Sequence, residues 1–129
     1  LHTGVDFCLD VHGDEKLPYN FIAGLEGIPS CTPELLSAQQ AFMDELLRAC
    51  PDFQTVHGYD LDAPGTADLS VASNYIAETF SCVALTLEQP FKDTIDAPVP
   101  ATGWSPERAK QFGNSSIVAM WNWLSQRSQ

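Results

Sequence analysis

Asp10-Val11-His12-Gly13-Asp14-Glu15 follows an apolar run, Val5 to Val11, that reads as a buried strand. His12 is then expected where the backbone leaves a sheet and turns at Gly13. Open α/β sheets place their chemistry at such strand ends. A second strand-like run, Cys82-Val83-Ala84-Leu85-Thr86-Leu87, ends the same way, with Glu88 at its last position and Pro90 stopping it just beyond. One imidazole and one carboxylate are thus expected at matching ends of two buried strands. Along the first strand the even positions Asp6, Cys8, Asp10 and His12 share one face, and Val5, Phe7, Leu9 and Val11 share the other. The polar face must find partners.

Between these strands the chain alternates. Leu17 to Gly24 is short, aromatic and apolar, punctuated by Pro18 and Gly24, and reads as an extended segment or edge strand. Thr32-Pro33-Glu34 starts a helix: a capping threonine, proline at the first helical position and a carboxylate near the positive end. Leu35/Leu36, Phe42/Met43, Leu46/Leu47 and Cys50 fall on its buried stripe, and Pro51 ends it. Asp52 to Val56 is a weak strand, and Gly58 to Gly65 a turn-rich loop of the kind that carries function. A second helix is expected over Asp68 to Thr79, where Leu69, Ala72, Ile76 and Phe80 repeat at three and four. Ser105-Pro106-Glu107 opens a helix to about Phe112, with Gly113 as its stop. Ile117, Met120, Trp121 and Leu124 suggest a last helix packing on the sheet. This alternation argues for an α/β layered fold, in one domain over residues 1–129.

Composition bounds the function classes. The apolar fraction of 44% is that of an ordinary globular protein, and no apolar run approaches the ~20 residues a membrane-spanning helix needs. Six basic against seventeen acidic side chains give a formal charge of −11. Such a field repels phosphate backbones and anionic lipid, which argues against nucleic acid or a membrane surface as partner. Cys8, Cys31, Cys50 and Cys82 show no C-x-x-C spacing and read as free thiols, which with the absence of a signal-peptide pattern favours a cytoplasmic location. The chain opens on Leu1 rather than Met and enters a strand almost at once, as a piece of a longer chain would.

His12 is a neutral-imidazole metal ligand by chemistry, and Asp10 on the same face is suited to orient it. Glu88 ends an otherwise apolar strand. Burying a carboxylate costs on the order of several kcal/mol unless it is paired, so its position implies a partner, a metal or a proton to move. His12-x-x-Glu15 also has the spacing of a two-ligand zinc motif, with His57 as a conceivable third ligand. A lone H-x-x-E is a frequent accident, and His57 reads equally as a loop residue beside Gly58. No serine stands in a G-x-S-x-G elbow, so Ser/His/Asp catalysis has no support.

Asp10-Val11-His12-Gly13, then Asn20-Phe21 with Ala23-Gly24, and Thr86-Leu87-Glu88 together resemble the carboxyl-terminal half of a zinc carboxypeptidase domain of the carboxypeptidase A clan, nearest to the cytosolic carboxypeptidase-like branch and its bacterial relatives. The resemblance runs from about Val5 to Asp93 and more loosely through Trp104. It implies a three-layer α/β sandwich with a mixed, mostly parallel sheet, present only as its carboxyl-terminal half. It makes His12 the third zinc ligand, Glu88 the general base, and Tyr59 the counterpart of a mobile substrate-binding tyrosine. The family's first ligand pair, an H-x-x-E, and its substrate-binding asparagine and arginines lie upstream of the third ligand, so the implied partners are that amino-terminal half and a peptide or protein carboxyl terminus. A single imidazole cannot hold zinc in a site that needs three protein ligands, so the chain alone is expected to bind metal weakly and be inactive. Two other readings stay open: an aspartoacylase-like amidohydrolase of the same clan acting on N-acyl amino acids, and a binding module without catalysis.

Overall fold

The computed structural model describes residues 4–128. Strand β1 (Phe7–Asp14) and strand β3 (Val83–Pro90) pair in parallel, and the short strand β2 (Phe21–Ala23) pairs antiparallel to β3 on its other side. The described sheet is therefore mixed, with order β1-β3-β2. β3 is central, which explains its continuous burial: a strand covered on both faces and both edges has no position for an exposed polar residue.

Helices cover both faces. Phe7 packs its ring 4.8 Å from Phe42 of α1 (Pro33–Ala49) and 5.0 Å from Trp123 of α3 (Pro106–Arg127). On the opposite face the Ser73 hydroxyl of α2 (Ala72–Phe80) lies 2.7 Å from the Thr86 hydroxyl of β3. Because side chains alternate along a strand, the odd positions of β1 and β3 face α1 and α3 while the even positions face α2. This is the three-layer arrangement. The core is Leu25, Phe42, Leu46, Phe53, Leu85, Leu87, Phe112 and Trp123 with their neighbours.

Several local expectations change. β1 does not end before Gly13 but runs through it to Asp14, so Gly13 is no turn. A Cβ there would come within 2.6 Å of the exposed Phe91 ring, which would have to shift to admit it. Asp52 to Val56 forms no strand. Gln54 ties that segment into a loop, its Oε1 accepting from the Val56 and His57 amides and its Nε2 donating to the Asn20 and His57 carbonyls. α2 starts at Ala72, since the Asp68 carboxylate accepts from the Ser70 amide and folds the preceding residues into a turn. The faces these helices bury are also rotated from the apolar count. α1 buries Gln39 and Glu45 beside Phe42 and Leu46 and leaves Leu36 and Leu47 exposed, while α2 buries Ser73 and Ala77 and leaves Phe80 exposed, and Leu69 falls in the turn ahead of it.

The two carboxyl-terminal helices are one, continuous from Pro106 to Arg127. Arg108, Phe112, Ser116, Ala119 and Trp123 form its buried stripe against α1 and override the weak helix propensity of Gly113, whereas Ile117 and Trp121 point outward. Arg108 also ties the long crossover to the domain. Its guanidinium reaches Asp52 at 2.8 Å and Asp93 at 2.9 Å and donates to the Ala97 and Gly103 carbonyls.

Two stability predictions follow from these placements. Gly113→Ala, at an exposed helical site with open space around it, should stabilise by about 1 kcal/mol in urea unfolding. Arg108→Leu leaves Asp52 and Asp93 uncompensated and should destabilise by about 3–5 kcal/mol in the same measurement.

Candidate active site

The parallel register sets His12 directly beside Glu88, and both are even positions on the face that α2 covers. His12 Nε2 lies 3.0 Å from Asp10 Oδ2, and its Nδ1 lies 4.0 Å from Glu88 Oε1. A proton on Nε2 would face the Asp10 carboxylate, with Nδ1 as the nitrogen on the Glu88 side. The imidazole is half exposed while the Glu88 carboxylate is nearly buried, 50% against 8%. Glu88 Oε2 has no partner among the described residues. Burial is the main cause that lifts the Glu88 carboxyl above the usual range; His12 opposes it and Asp14 adds to it.

Tyr59 completes the cluster from the loop after α1. Its ring packs edge-on against Phe21, with centroids 4.8 Å apart, and its hydroxyl is 3.5 Å from Glu88 Oε1. Gly58 lets the backbone approach, since a Cβ there would touch the Phe21 ring at 3.3 Å. Burial, then the Glu88 and Asp14 carboxylates, holds the phenol protonated well past its ordinary range, so it serves as a hydrogen-bond donor.

His12, Asp10, Glu88 and Tyr59 are thus brought together. His57 is not: it stacks on Tyr19 with ring centroids 4.2 Å apart and planes 14° from parallel. Glu15 is exposed, and among the described residues no group of three or more His, Cys, Asp or Glu side chains is arranged to hold a metal ion, so a self-contained His12, Glu15 and His57 centre is not formed. All four cysteines are free thiols.

Asp14 was not among the expected site residues. It is buried, its Oδ2 is unpartnered, and it raises the proton affinity of both Glu88 and Tyr59. Its signal was the strand period: Asp10, His12 and Asp14 are successive even positions, hidden once Gly13 is read as a turn. Beside this cluster a cavity of about 480 Å³ opens between β2, β3, the loop after Tyr59 and the start of α2.

The fold is similar to part of the metallo-carboxypeptidase fold, as comparison with known proteins shows. No family model matches the sequence. A metallo-carboxypeptidase from Burkholderia cenocepacia superimposes with a TM-score of 0.91 at 41% identity over 96% of this chain and 33% of its own. One from Pseudomonas aeruginosa, in complex with (2-guanidinoethylmercapto)succinic acid, gives 0.87 at 46% identity over 91% of this chain and 31% of its own. A structure from Shewanella denitrificans, described as a candidate carboxypeptidase A, gives 0.89 at 55% identity over 92% and 31%. An uncharacterised protein of Zymomonas mobilis is 45% identical over 118 residues, 92% of this chain and 31% of that protein. The chain spans about a third of the length of each of these relatives.

The Asp10 contact makes a checkable statement about the imidazole. Nitrogen NMR of the protein above pH 8 should find neutral His12 protonated on Nε2, and Asp10→Asn should shift the balance toward the other tautomer.

Proposed function

We propose that this chain is the carboxyl-terminal half of the catalytic domain of a zinc metallocarboxypeptidase that hydrolyses the last amide bond of a peptide or protein, nearest to the cytosolic carboxypeptidase-like branch and acting in the cytoplasm. The observation that carries the reading is the pairing of His12 with Glu88 across β1 and β3, which brings Nδ1 to 4.0 Å from Glu88 Oε1, while Glu88 Oε2 is buried without a partner among the described residues. The metallo-carboxypeptidase neighbours at 41% and 46% identity support it, and the Pseudomonas aeruginosa protein's ligand has a dicarboxylate portion that resembles a peptide carboxyl end.

The donor set fits a metal that is completed from elsewhere. His12, through the Nδ1 on its Glu88 side, would supply one ligand, and the remaining ligands would come from the amino-terminal half of the domain. When bound, zinc polarises the scissile carbonyl and acidifies water. Glu88 removes a proton from the attacking water and returns it to the departing amine; its raised proton affinity suits both halves of that transfer. Tyr59 donates its hydroxyl hydrogen bond to the substrate at the same rim. His12 by itself offers too few ligands for tight metal binding, so the isolated chain is inactive.

In the complete protein, Glu88→Gln should retain zinc by metal analysis and lower kcat by roughly 10³ or more; retained turnover removes Glu88 as the base. Zinc titration of the isolated chain should show no tight stoichiometric site. A sub-micromolar site that disappears in His12→Ala would overturn the divided-site reading.

A further inference from the structure

Tyr59 reaches Glu88 from a segment that has no helix or strand of its own, yet its hydroxyl lies 3.5 Å from Glu88 Oε1. The sequence resemblance implies a tyrosine on a mobile loop; the contacts of Gln54 imply one already set. Gln54 Oε1 accepts from the Val56 and His57 amides at 3.0 and 2.7 Å, and its Nε2 donates to the His57 and Asn20 carbonyls at 2.8 and 2.9 Å. A side-chain amide offers two donor hydrogens and two acceptor lone pairs, so every capacity of Gln54 is used. Three of these bonds fold Gln54 to His57 on itself, and the fourth ties that turn to Asn20. Asn20 is a firm anchor. It is 0% exposed, its Nδ2 donates to the Asp52 carbonyl at 3.2 Å, and it directly precedes Phe21. Phe21 pairs with Glu88 in the register of β2 with β3 and packs edge-on against Tyr59. The bond from Gln54 to Asn20 thus joins the backbone just ahead of Tyr59 to the strand that pairs with Glu88. The stacking of His57 on Tyr19, the neighbour of Asn20, is a second tie between the same two segments.

We infer that Gln54 is a positioning residue for Tyr59: it sets the loop before substrate arrives, so that the hydroxyl stands at the rim of Glu88 without a swing of the loop. The inference rests on the carboxypeptidase reading and on Tyr59 meeting the substrate there. Gln54 acts through the backbone from Val56 to Tyr59 rather than by contact with the reacting atoms. Gly58 alone separates His57 from Tyr59, and a Cβ on it would meet the Phe21 ring at 3.3 Å, so the chain passes close to β2 at this point. A shift of His57 is therefore carried to the tyrosine through one residue. Misplacing a positioned group by about 1 Å costs on the order of 10²-fold in rate. A loop held in its working geometry also avoids the ordering cost that a swinging loop incurs each time substrate binds.

The test is a double-mutant cycle in the complete enzyme containing this chain, assayed by release of the last residue from a peptide. Gln54→Met keeps the length of the side chain without its four bonds, and Tyr59→Phe removes the hydroxyl. Each variant alone should lower kcat/KM at least about tenfold with zinc content unchanged, and in the Tyr59→Phe background Gln54→Met should cost less than about twofold more. In the free wild-type enzyme the Val56 and His57 amides, which Gln54 holds, should exchange with solvent at least about tenfold more slowly than amides of an unstructured peptide. Three results overturn the inference while leaving the carboxypeptidase reading intact: full activity in either single variant, an equal loss from Gln54→Met in both backgrounds, or unprotected Val56 and His57 amides. Failure to release any terminal residue overturns both. The exchange measurement needs no variant, so a Gln54→Met protein that does not fold does not protect the proposal.

Discussion

The parallel pairing of β1 with β3 is the constraint on which the candidate site depends. Eight consecutive partners, from Phe7 opposite Val83 to Asp14 opposite Pro90, leave one register, and in that register His12 meets Glu88. A slip by one residue would turn the even positions to the other face, burying Asp10 and His12 against Phe42 and Trp123 and exposing Phe7 to α2. The aromatic contacts on one face therefore hold the polar cluster on the other. This makes the pairing of imidazole and carboxylate a property of the core rather than of any contact between the two groups.

Burying Glu88 and Asp14 close together is unfavourable, and the fold tolerates it because the surroundings are rigid. β3 is flanked on both edges, α2 closes one face through Ser73, and the loop after α1 is held by Gln54, by the stacking of His57 on Tyr19 and by Tyr59 against Phe21. Arg108 does the same for the segment after β3, joining Asp52, Asp93 and the Ala97 carbonyl at one buried point and stacking on Trp104. With those segments fixed, two carboxylates whose charge solvent would otherwise favour stay partly starved of partners. A group in that state binds protons and ligands more readily than the same group on the surface.

The acidity of the chain acquires a local meaning beside Glu88. Most acidic residues are solvated and serve solubility, whereas Glu26, Asp14 and Glu88 are withdrawn from water to different degrees within one region. In the relatives of known structure the matched region is about a third of a longer chain.

The sequence by itself determined the layered α/β class, the strands carrying His12 and Glu88, the proline-marked starts of α1 and α3 and the free thiols, because period-two and helical spacing, capping residues and cysteine spacing are local signals. It also carried the motif set D-V-H-G, N-F and T-L-E, whose resemblance to the carboxypeptidase clan agrees with the structural neighbours. What only the tertiary structure decided was where local signals were overruled. Gly13 stays in a strand because β3 pairs through it, and Gly113 stays in a helix because Phe112 and Ser116 pack on either side of it. Asp52 to Val56 becomes a loop because Gln54 takes up its amides, and Asp14, Gln39 and Glu45 are buried because partners distant in sequence surround them. Burial of a polar side chain depends on what packs over it, and that information lies in no window of neighbouring residues.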